Sequence, residues 1–268
     1  MTRKELVELI WRKKSFLCVG LDTDPEKLPT HLRNTEDGVY EFNKAIIEAT
    51  LPYAVSYKLN IAFYEAMGID GWETLQRTID LIPNREALII ADAKRGDIGN
   101  TATQYAKAFF ELLNCHAITI NPYMGKDSVT PFLEYKDHWS IVLGLTSNPG
   151  ASDIELIKTE SGRFVFEEAV ERIASYGSPD NLMFVVGATK SEYFEKIRKI
   201  IPDHFLLVPG VGAQGGKLED LKPILNNDCG LLVNSSRQII YASSSEDFSE
   251  HAAEQAKLLQ VQMARMIV

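Results

Sequence analysis

The stretch ALIIADAKRGD, residues 87–97, joins a short apolar run to a cluster of alternating charges. The apolar run, residues 87–91, has the length and composition of a buried β-strand. Because successive side chains of a strand point to opposite faces, Asp92 and Lys94 are predicted to share one face, and Asp97 follows in a glycine-containing loop. Charges directed into an apolar interior are costly without a partner or a purpose, so the pattern indicates a catalytic site. The alternative is a charged strand-to-helix turn with no chemical role.

Seven more apolar segments of similar length recur along the chain, each followed by a stretch with helical character. The eight predicted strands are residues 16–21, 54–59, 87–91, 117–120, 140–145, 182–186, 205–208 and 230–233. The predicted helices are residues 38–50, 62–81, 101–113, 126–135, 162–176, 191–201, 217–225 and 246–266. Strand and helix therefore alternate at the spacing of βα units.

Eight βα units in 268 residues favour one closed barrel. The sequence predicts an α/β fold: a single-domain (β/α)8 TIM barrel over residues 1–268, with an extra helix at the N-terminus. An open, doubly wound sheet is the alternative. In a barrel, functional side chains collect where the strands end at their carboxyl side.

Composition restricts the partners of this chain. The net charge is −9 and the pI is near 5.2, and no basic cluster is interleaved with aromatic residues, so nucleic acid is not an expected partner. No apolar run approaches the roughly 18 residues of a membrane span, so no membrane partner is expected. Cys18, Cys115 and Cys229 are odd in number and widely spaced, which is typical of reduced thiols in a cytoplasmic protein. The five histidines have no spacing that suggests a metal site.

Chemically distinctive residues follow most of the predicted strands. Asp22 follows the first strand, Lys58 lies near the end of the second, and residues 146–150 follow the fifth. The glycine-rich segment 209–216 includes Gln214, and Arg237 lies after the eighth strand. Glycines allow backbone amides to approach an anion, and an arginine can bind it in a bidentate manner, so these two loops predict a phosphate site. A flexible lid with an exposed arginine is the alternative.

In wording and order these motifs resemble one known family. DAKRGDIGNT at residues 92–101, SNPG at 147–150, PGVGAQGG at 209–216 and SSR at 235–237 resemble the orotidine 5′-phosphate decarboxylase family, its bacterial subgroup in particular. The resemblance extends over all eight predicted strands. It implies a homodimer that converts orotidine 5′-monophosphate to uridine 5′-monophosphate and carbon dioxide, with no metal and no organic cofactor.

The resemblance also implies a role for each matching residue. Catalysis falls to Lys58, Asp92, Lys94 and Asp97, with Lys94 as cation and proton donor to the C6 carbanion. Substrate binding falls to Asp22, Thr101, Ser147, Gly210, Gly212, Gln214 and Arg237. Asp97 and Thr101 are implied to reach the site of the neighbouring subunit.

Two other functions compete with this one. A magnesium-dependent relative of the same barrel group, such as 3-keto-gulonate 6-phosphate decarboxylase, shares the Asp-x-Lys-x-x-Asp pattern but needs an acid at the second strand. Lys58 argues against it, because a cation would repel the metal there. A non-catalytic sensor of a phosphate ligand is the second alternative, and it has no need of buried alternating charges.

Overall fold

The computed structural model describes residues 1–212 and 215–267. Eight parallel strands pair in chain order, and β1 pairs with β8, so the sheet closes into a barrel. The strands are β1 (Leu17–Leu21), β2 (Ala54–Asn60), β3 (Leu88–Arg95), β4 (Ala117–Ile120), β5 (Trp139–Leu145), β6 (Leu182–Val186), β7 (Phe205–Pro209) and β8 (Leu231–Ser235). The predicted (β/α)8 barrel is confirmed, and the open sheet is excluded.

The strands are apolar because both of their faces are covered. Every residue of β1, β4, β6 and β8 is buried, as expected where side chains fill the barrel on one face and contact helices on the other. Lys58 and Asp92 break this apolar pattern near the carboxyl ends of β2 and β3 while remaining buried. The barrel thus directs its buried charges to one end.

Helices surround the barrel and follow the strands in order. They are α1 (Arg3–Lys13), α2 (Thr30–Arg33), α3 (Gly38–Thr50), α4 (Ile61–Glu65), α5 (Gly68–Asp80), α6 (Gly99–Ala106), α7 (Thr130–Leu133), α8 (Val165–Ala174), α9 (Phe194–Ile200), α10 (Arg237–Ile240) and α11 (Phe248–Ala264). The prediction for α3 is confirmed with its bounds. Its apolar residues recur at helical spacing and include the buried Phe42, Ile46 and Ile47.

Several helix predictions differ from the structure. Residues 126–135 form a 3-10 turn and the four-residue α7, and a 3-10 turn at Ser191–Tyr193 precedes α9. Residues 62–81 form two helices, because Gly68 has φ 70° and Gly71 approaches the Tyr64 carbonyl too closely for any side chain. The helix predicted from residue 101 begins at Gly99 and continues after α6 as a wider π-helical segment, Lys107–Leu112. Residues 219–224 form a 3-10 helix with Pro223 inside it, and proline has no N–H for the α-helical hydrogen bond.

The extra N-terminal helix closes the amino end of the barrel. Thr2 and Glu5 form a capping box at its start, and Leu6, Leu9 and Ile10 are buried. Lys13 Nζ donates hydrogen bonds to the carbonyls of Leu51, Ala54 and Glu86, which lie just before or at the start of β2 and just before β3. The predicted extra helix at the N-terminus is confirmed, and the structure places it at the end of the barrel opposite the charges.

The three cysteines are buried and unpaired, in agreement with the prediction of buried thiols. Burial raises the pKa of each of these thiols to about 12, so they are poor nucleophiles. No helix in residues 1–212 and 215–267 combines the length and the apolar character needed to cross a membrane.

His116 joins three strands at the amino end of the barrel. Its Nδ1 accepts a hydrogen bond of 3.0 Å from the Ile89 N–H, while its own backbone N–H donates to the Ile89 carbonyl at 3.0 Å. Its carbonyl accepts from the Trp139 N–H at 2.9 Å. Burial, together with the positive charge of the chain's N-terminus, lowers the pKa of His116 to about 3. The ring is therefore neutral in the folded protein, as an Nδ1 acceptor must be.

We expect His116 to make folding sensitive to acid. Between an unfolded pKa of about 6.5 and the folded value of about 3, only the unfolded chain binds the proton, so stability falls as the pH is lowered. Urea unfolding of wild type and His116→Asn at pH 7.5 and pH 5.0 measures the effect. Asparagine can accept the same hydrogen bond but does not titrate. Wild type should lose about 2 kcal/mol more than the variant between the two pH values; equal losses would contradict the role of His116.

Candidate active site

A cavity of about 520 Å³ opens at the carboxyl ends of the strands. Asp22, Lys58, Asp92 and Lys94 lie on one side of it, and these side chains come from β2, β3 and the residue after β1. Leu143, Val185 and Leu207 contribute apolar lining. The structure thus brings four of the predicted site residues together at the end of the barrel where chemistry was expected.

The Asp92 carboxylate is at the centre of this charged cluster. Its Oδ2 lies 2.8 Å from Lys58 Nζ, and its Oδ1 lies 2.6 Å from Lys94 Nζ. The Thr119 hydroxyl on β4 donates a third hydrogen bond, of 2.9 Å, to Oδ1. Burial by itself disfavours the charged carboxylate, but Lys58 and then Lys94 outweigh it and hold the pKa of Asp92 below its ordinary value. Asp92 is therefore an anion at neutral pH.

Lys58 is held as a cation by two carboxylates. Its Nζ lies 2.8 Å from Asp92 and 3.4 Å from Asp22, and only 6% of its side chain is exposed. Burial favours the neutral amine, but Asp92 and Asp22 overcome it and raise the pKa of Lys58 above its ordinary value. Because β2 is rigid and buried, this cation is fixed in place before any ligand arrives.

Lys94 reaches the same cluster in a different way from the one predicted. Regular strand alternation does not continue to Lys94, since the register of β3 against β4 shifts between Ala91 and Arg95 and Lys94 has φ 46°. Its N–H donates to Thr119 Oγ1 at 2.9 Å, and its side chain is 51% exposed. The prediction that Asp92 and Lys94 point together is correct, but a bulge produces it, and Lys94 faces the open cavity.

Several of the predicted substrate-binding residues also line the cavity. Ser147, Gly210 and Arg237 line it. Gly212 does not, although its φ of 77° and its close approach to Gln238 require glycine there. Gln214 lies outside the described residues. The cavity therefore brings Arg237 and the backbone around Gly210 to the same opening as the four charges.

Two further predicted residues, besides Gly212, do not line this cavity. Asp97 lies in the loop after β3, where its Oδ1 accepts a 2.8 Å hydrogen bond from the Ile98 N–H. Thr101 is exposed on α6. Within the described part of one chain, both residues lie apart from the cavity that Lys58, Asp92 and Lys94 share.

Several cavity residues were missed by the sequence analysis. Asn60 follows Lys58 by two positions, so strand alternation could have identified it. Asn234 and Ser236 lie close to Arg237 in the chain. Thr119 does not line the cavity but contacts Asp92 and Lys94, and as an uncharged residue in an apolar strand it carries no sequence signal of this role. Glu155 accepts hydrogen bonds of 2.7 Å from both the N–H and the hydroxyl of Thr146.

The loop that carries Ser147 packs tightly against β6. A Cβ atom at Gly187, just after β6, would lie 2.7 Å from the backbone nitrogen and Cα of Ser147, so only glycine permits this contact. Glu155 fixes Thr146 immediately before it. These contacts determine the position of Ser147 at the edge of the cavity, and neither contact follows from a local sequence pattern.

The fold and the cavity define a class of protein: a (β/α)8 barrel enzyme whose site holds fixed opposite charges and an arginine at one opening. The family model described as "Orotidine 5'-phosphate decarboxylase / HUMPS family" matches residues 15–251. The chain belongs to this family, as the resemblance implied.

Individual proteins agree with the family match over nearly full length. An orotidine 5′-phosphate decarboxylase of Phocaeicola vulgatus is 52% identical, covering 100% of this chain and 99% of the relative. One of Christiangramia forsetii is 55% identical, with 98% of each chain covered. The structure of Leishmania donovani OMP decarboxylase is similar with a TM-score of 0.77 and 34% identity, covering 97% of this chain and 99% of that one.

Proposed function

We propose that this protein decarboxylates orotidine 5′-monophosphate to uridine 5′-monophosphate and carbon dioxide, the last step of UMP biosynthesis. The observation that carries the proposal is the cluster of Lys58, Asp92 and Lys94, which places an ionised carboxylate between two ammonium groups at 2.8 and 2.6 Å. The activity named for relatives at 52% and 55% identity supports it.

Lys58 distinguishes this site from that of a metal-dependent barrel relative. Such an enzyme needs an acidic ligand at β2, whereas Lys58 Nζ lies in contact with the Asp92 carboxylate there. In the described residues, no group of three or more His, Cys, Asp or Glu side chains is placed to hold a metal ion. From Lys58 at this position and from the family resemblance, we propose a reaction that uses neither metal nor organic cofactor.

The substrate would lie across the cavity with its pyrimidine ring near Lys94 and its phosphate near Arg237. Asp22 and Lys58 would contact the ribose hydroxyls, and Ser147 would bind the ring. Gly210 and Gly212 would present backbone amides to the phosphate together with Gln214. The support for this orientation is that Lys94, Ser147 and Arg237 line the same cavity.

The chemical step breaks the bond between C6 and the carboxylate carbon. Carbon dioxide leaves, and the electron pair of the broken bond stays on C6, where the ring offers no π system to accept it. The Lys94 ammonium then donates a proton to C6, which completes UMP. Its exposed position at the open cavity suits this role, because its Nζ can reach a ligand while it is held at 2.6 Å from Asp92.

Two electrostatic effects would lower the barrier. Asp92 repels the substrate carboxylate, worth about 4 kcal/mol at 4 Å and an effective dielectric of about 20, and the repulsion ends as neutral carbon dioxide forms. The largest enzymatic accelerations need about 20 kcal/mol or more, so most must come from a preorganised cation beside the carbanion. Phosphate binding at the far end supplies energy to close the glycine loop over the substrate.

We also propose that the active enzyme is a homodimer in the cytoplasm. Ile98, Tyr123 and Met124 are 48%, 82% and 50% exposed on the loops after β3 and β4. The Asn121 N–H donates to the Arg95 carbonyl at 2.7 Å, so these loops are neighbours, and their exposed apolar side chains adjoin Asp97. A second subunit covering them would receive Asp97 and Thr101 into its own site.

The first test is direct turnover. Purified protein mixed with orotidine 5′-monophosphate in excess EDTA should remove the substrate's ultraviolet absorbance at the rate seen without chelator. Lys94→Ala should lower kcat by about 10³-fold or more while it still binds UMP, because the proton donor is lost. Lys4→Ala, an exposed lysine on α1, is the control. Loss of wild-type activity on chelation, restored by magnesium, would contradict the proposal; a non-catalytic sensor would bind UMP without any turnover.

Arg237→Ala should weaken substrate binding by about 10- to 100-fold, because the phosphate loses its bidentate partner. Turnover should fall as well, since phosphate binding also closes the glycine loop. Steady-state kinetics give both values, and Arg172→Ala, exposed on α8, is the matched control. Unchanged KM and kcat in Arg237→Ala would place the phosphate elsewhere.

Subunit mixing tests the shared site. A heterodimer of Asp97→Ala and Lys58→Ala has one site with both groups intact, so activity should approach half of wild type per heterodimer, or about a quarter of the total after random equimolar exchange. Mixing Lys58→Ala with Lys94→Ala is the control. Each site takes both of these residues from one chain, so every site in that heterodimer lacks one of them and stays inactive. If exchange is verified and the first mixture stays as inactive as its parents, each site is built from one chain.

A further inference from the structure

Lys94 occupies a backbone conformation that side chains other than glycine rarely adopt. With φ 46° it is one of four non-glycine residues with positive φ in the described chain. Such a conformation costs of order 1–3 kcal/mol and persists only where surrounding contacts enforce it. Because Lys94 lies at the bulge of β3 and its side chain is half exposed, its backbone largely determines where its Nζ points.

Three hydrogen bonds hold the bulge, one at each of the residues Ala93, Lys94 and Arg95. The Lys94 N–H donates to Thr119 Oγ1 at 2.9 Å, and the Asn121 N–H donates to the Arg95 carbonyl at 2.7 Å. The third comes from a side chain within the bulge, as Arg95 Nη1 donates to the Ala93 carbonyl at 3.0 Å. Arg95 thus spans Lys94, joining the residues on either side of it.

The guanidinium of Arg95 is itself braced from outside the strand. Its Nη2 donates to Glu65, the last residue of α4, and its side chain is only 20% exposed. The guanidinium carbon lies 5.4 Å from the ring centre of Tyr105 on α6 and 5.5 Å from that of Phe109 on the π-helical segment. One planar group therefore connects the bulge to the helices that follow β2 and β3.

We propose that Arg95 is a positioning residue for Lys94: its guanidinium fork, anchored on Glu65, Tyr105 and Phe109, holds the Lys94 backbone in the conformation that directs Nζ into the cavity. The inference rests on the proposed function for its kinetic consequence, because Lys94 is the proposed proton donor. Arg95 does not line the cavity, so it acts through Lys94 and not on the substrate.

The proposal requires the geometry of arginine and not only its charge. The two Nη atoms bond different acceptors, the Ala93 carbonyl and the Glu65 carboxylate, in one rigid plane. A lysine at residue 95 keeps the positive charge but has a single, flexible ammonium that cannot reproduce the fork or its stacking on aromatic rings. Arg95→Lys therefore separates positioning from electrostatics.

The kinetic test compares Arg95→Met and Arg95→Lys with Arg77→Met. Arg77 is a matched control: it pairs with Asp37 and stacks 3.9 Å above Tyr40, but it does not contact the bulge. Both Arg95 variants should lose about 10²-fold in kcat, the scale of a 1 Å misplacement, while the Kd for UMP stays within about threefold. Arg77→Met should retain both values. Wild-type kcat in Arg95→Met, or its full recovery in Arg95→Lys, would overturn the proposal.

A crystal structure of Arg95→Met provides a readout that does not depend on catalysis. Lys94 should leave the positive-φ region, with its Nζ moving away from Asp92. If Lys94 keeps φ near 46°, Arg95 does not hold the bulge, whatever the kinetics. Should Arg95→Met fail to fold, Glu65→Gln weakens the same anchor while it leaves Arg95 and its hydrogen bond to the Ala93 carbonyl in place. It should lower kcat by a smaller factor with the Kd for UMP unchanged; unchanged kcat would count against the proposal. If wild type itself shows no turnover, the proposed function fails, and the Lys94 conformation still tests Arg95.

Discussion

The buried carboxylate of Asp92 is the constraint on which the site depends. A charge that is 9% exposed would be strongly destabilising by itself, and it is compensated by Lys58, Lys94 and the Thr119 hydroxyl. Each of these partners comes from a fixed strand position or from the bulge beside it. The positions of β2, β3 and β4 relative to one another therefore bring together the three partners that keep the buried Asp92 carboxylate ionised.

The two lysines around Asp92 are held in different ways, and this difference fits different tasks. Lys58 is 6% exposed on a regular strand between two carboxylates, so it is a permanent part of the charge arrangement. Lys94 is 51% exposed at a strained bulge, so it meets whatever enters the cavity. A proton donor must approach a reacting atom, whereas a structural cation must not move. The bulge provides that approach within an otherwise closed barrel.

The barrel and its strand ends could be predicted from the sequence because both have a local sequence signal: short apolar runs that end at charged residues. Asp22, Lys58 and Asp92 meet in one cavity as barrel geometry requires, and the bulge of β3 adds Lys94 to them. The bulge at Lys94 and the role of Thr119 could not be predicted, because both depend on contacts between β3 and β4. The helix break at Gly68 is local, and it was missed because glycine is tolerated in many helices. Strand alternation correctly predicted that Lys94 points to the same side as Asp92, but the structure achieves this through the bulge.

The predicted site residues fall into two groups, those on strands and those on or next to loops. Groups that must be fixed before a ligand binds lie on β2 and β3, where burial makes them rigid, while Asp97 and Arg237 lie in or next to loops. A carboxylate at Asp97 close to Asp92 in the same rigid cluster would add a second anion beside the first, at a cost of several kcal/mol in a low-dielectric site. Because Asp97 lies on an exposed loop outside the cavity of its own chain, its carboxylate does not repel Asp92 in the isolated subunit. In the proposed homodimer, the Asp97 carboxylate would join the charges of a site only when the partner subunit brings this loop into place.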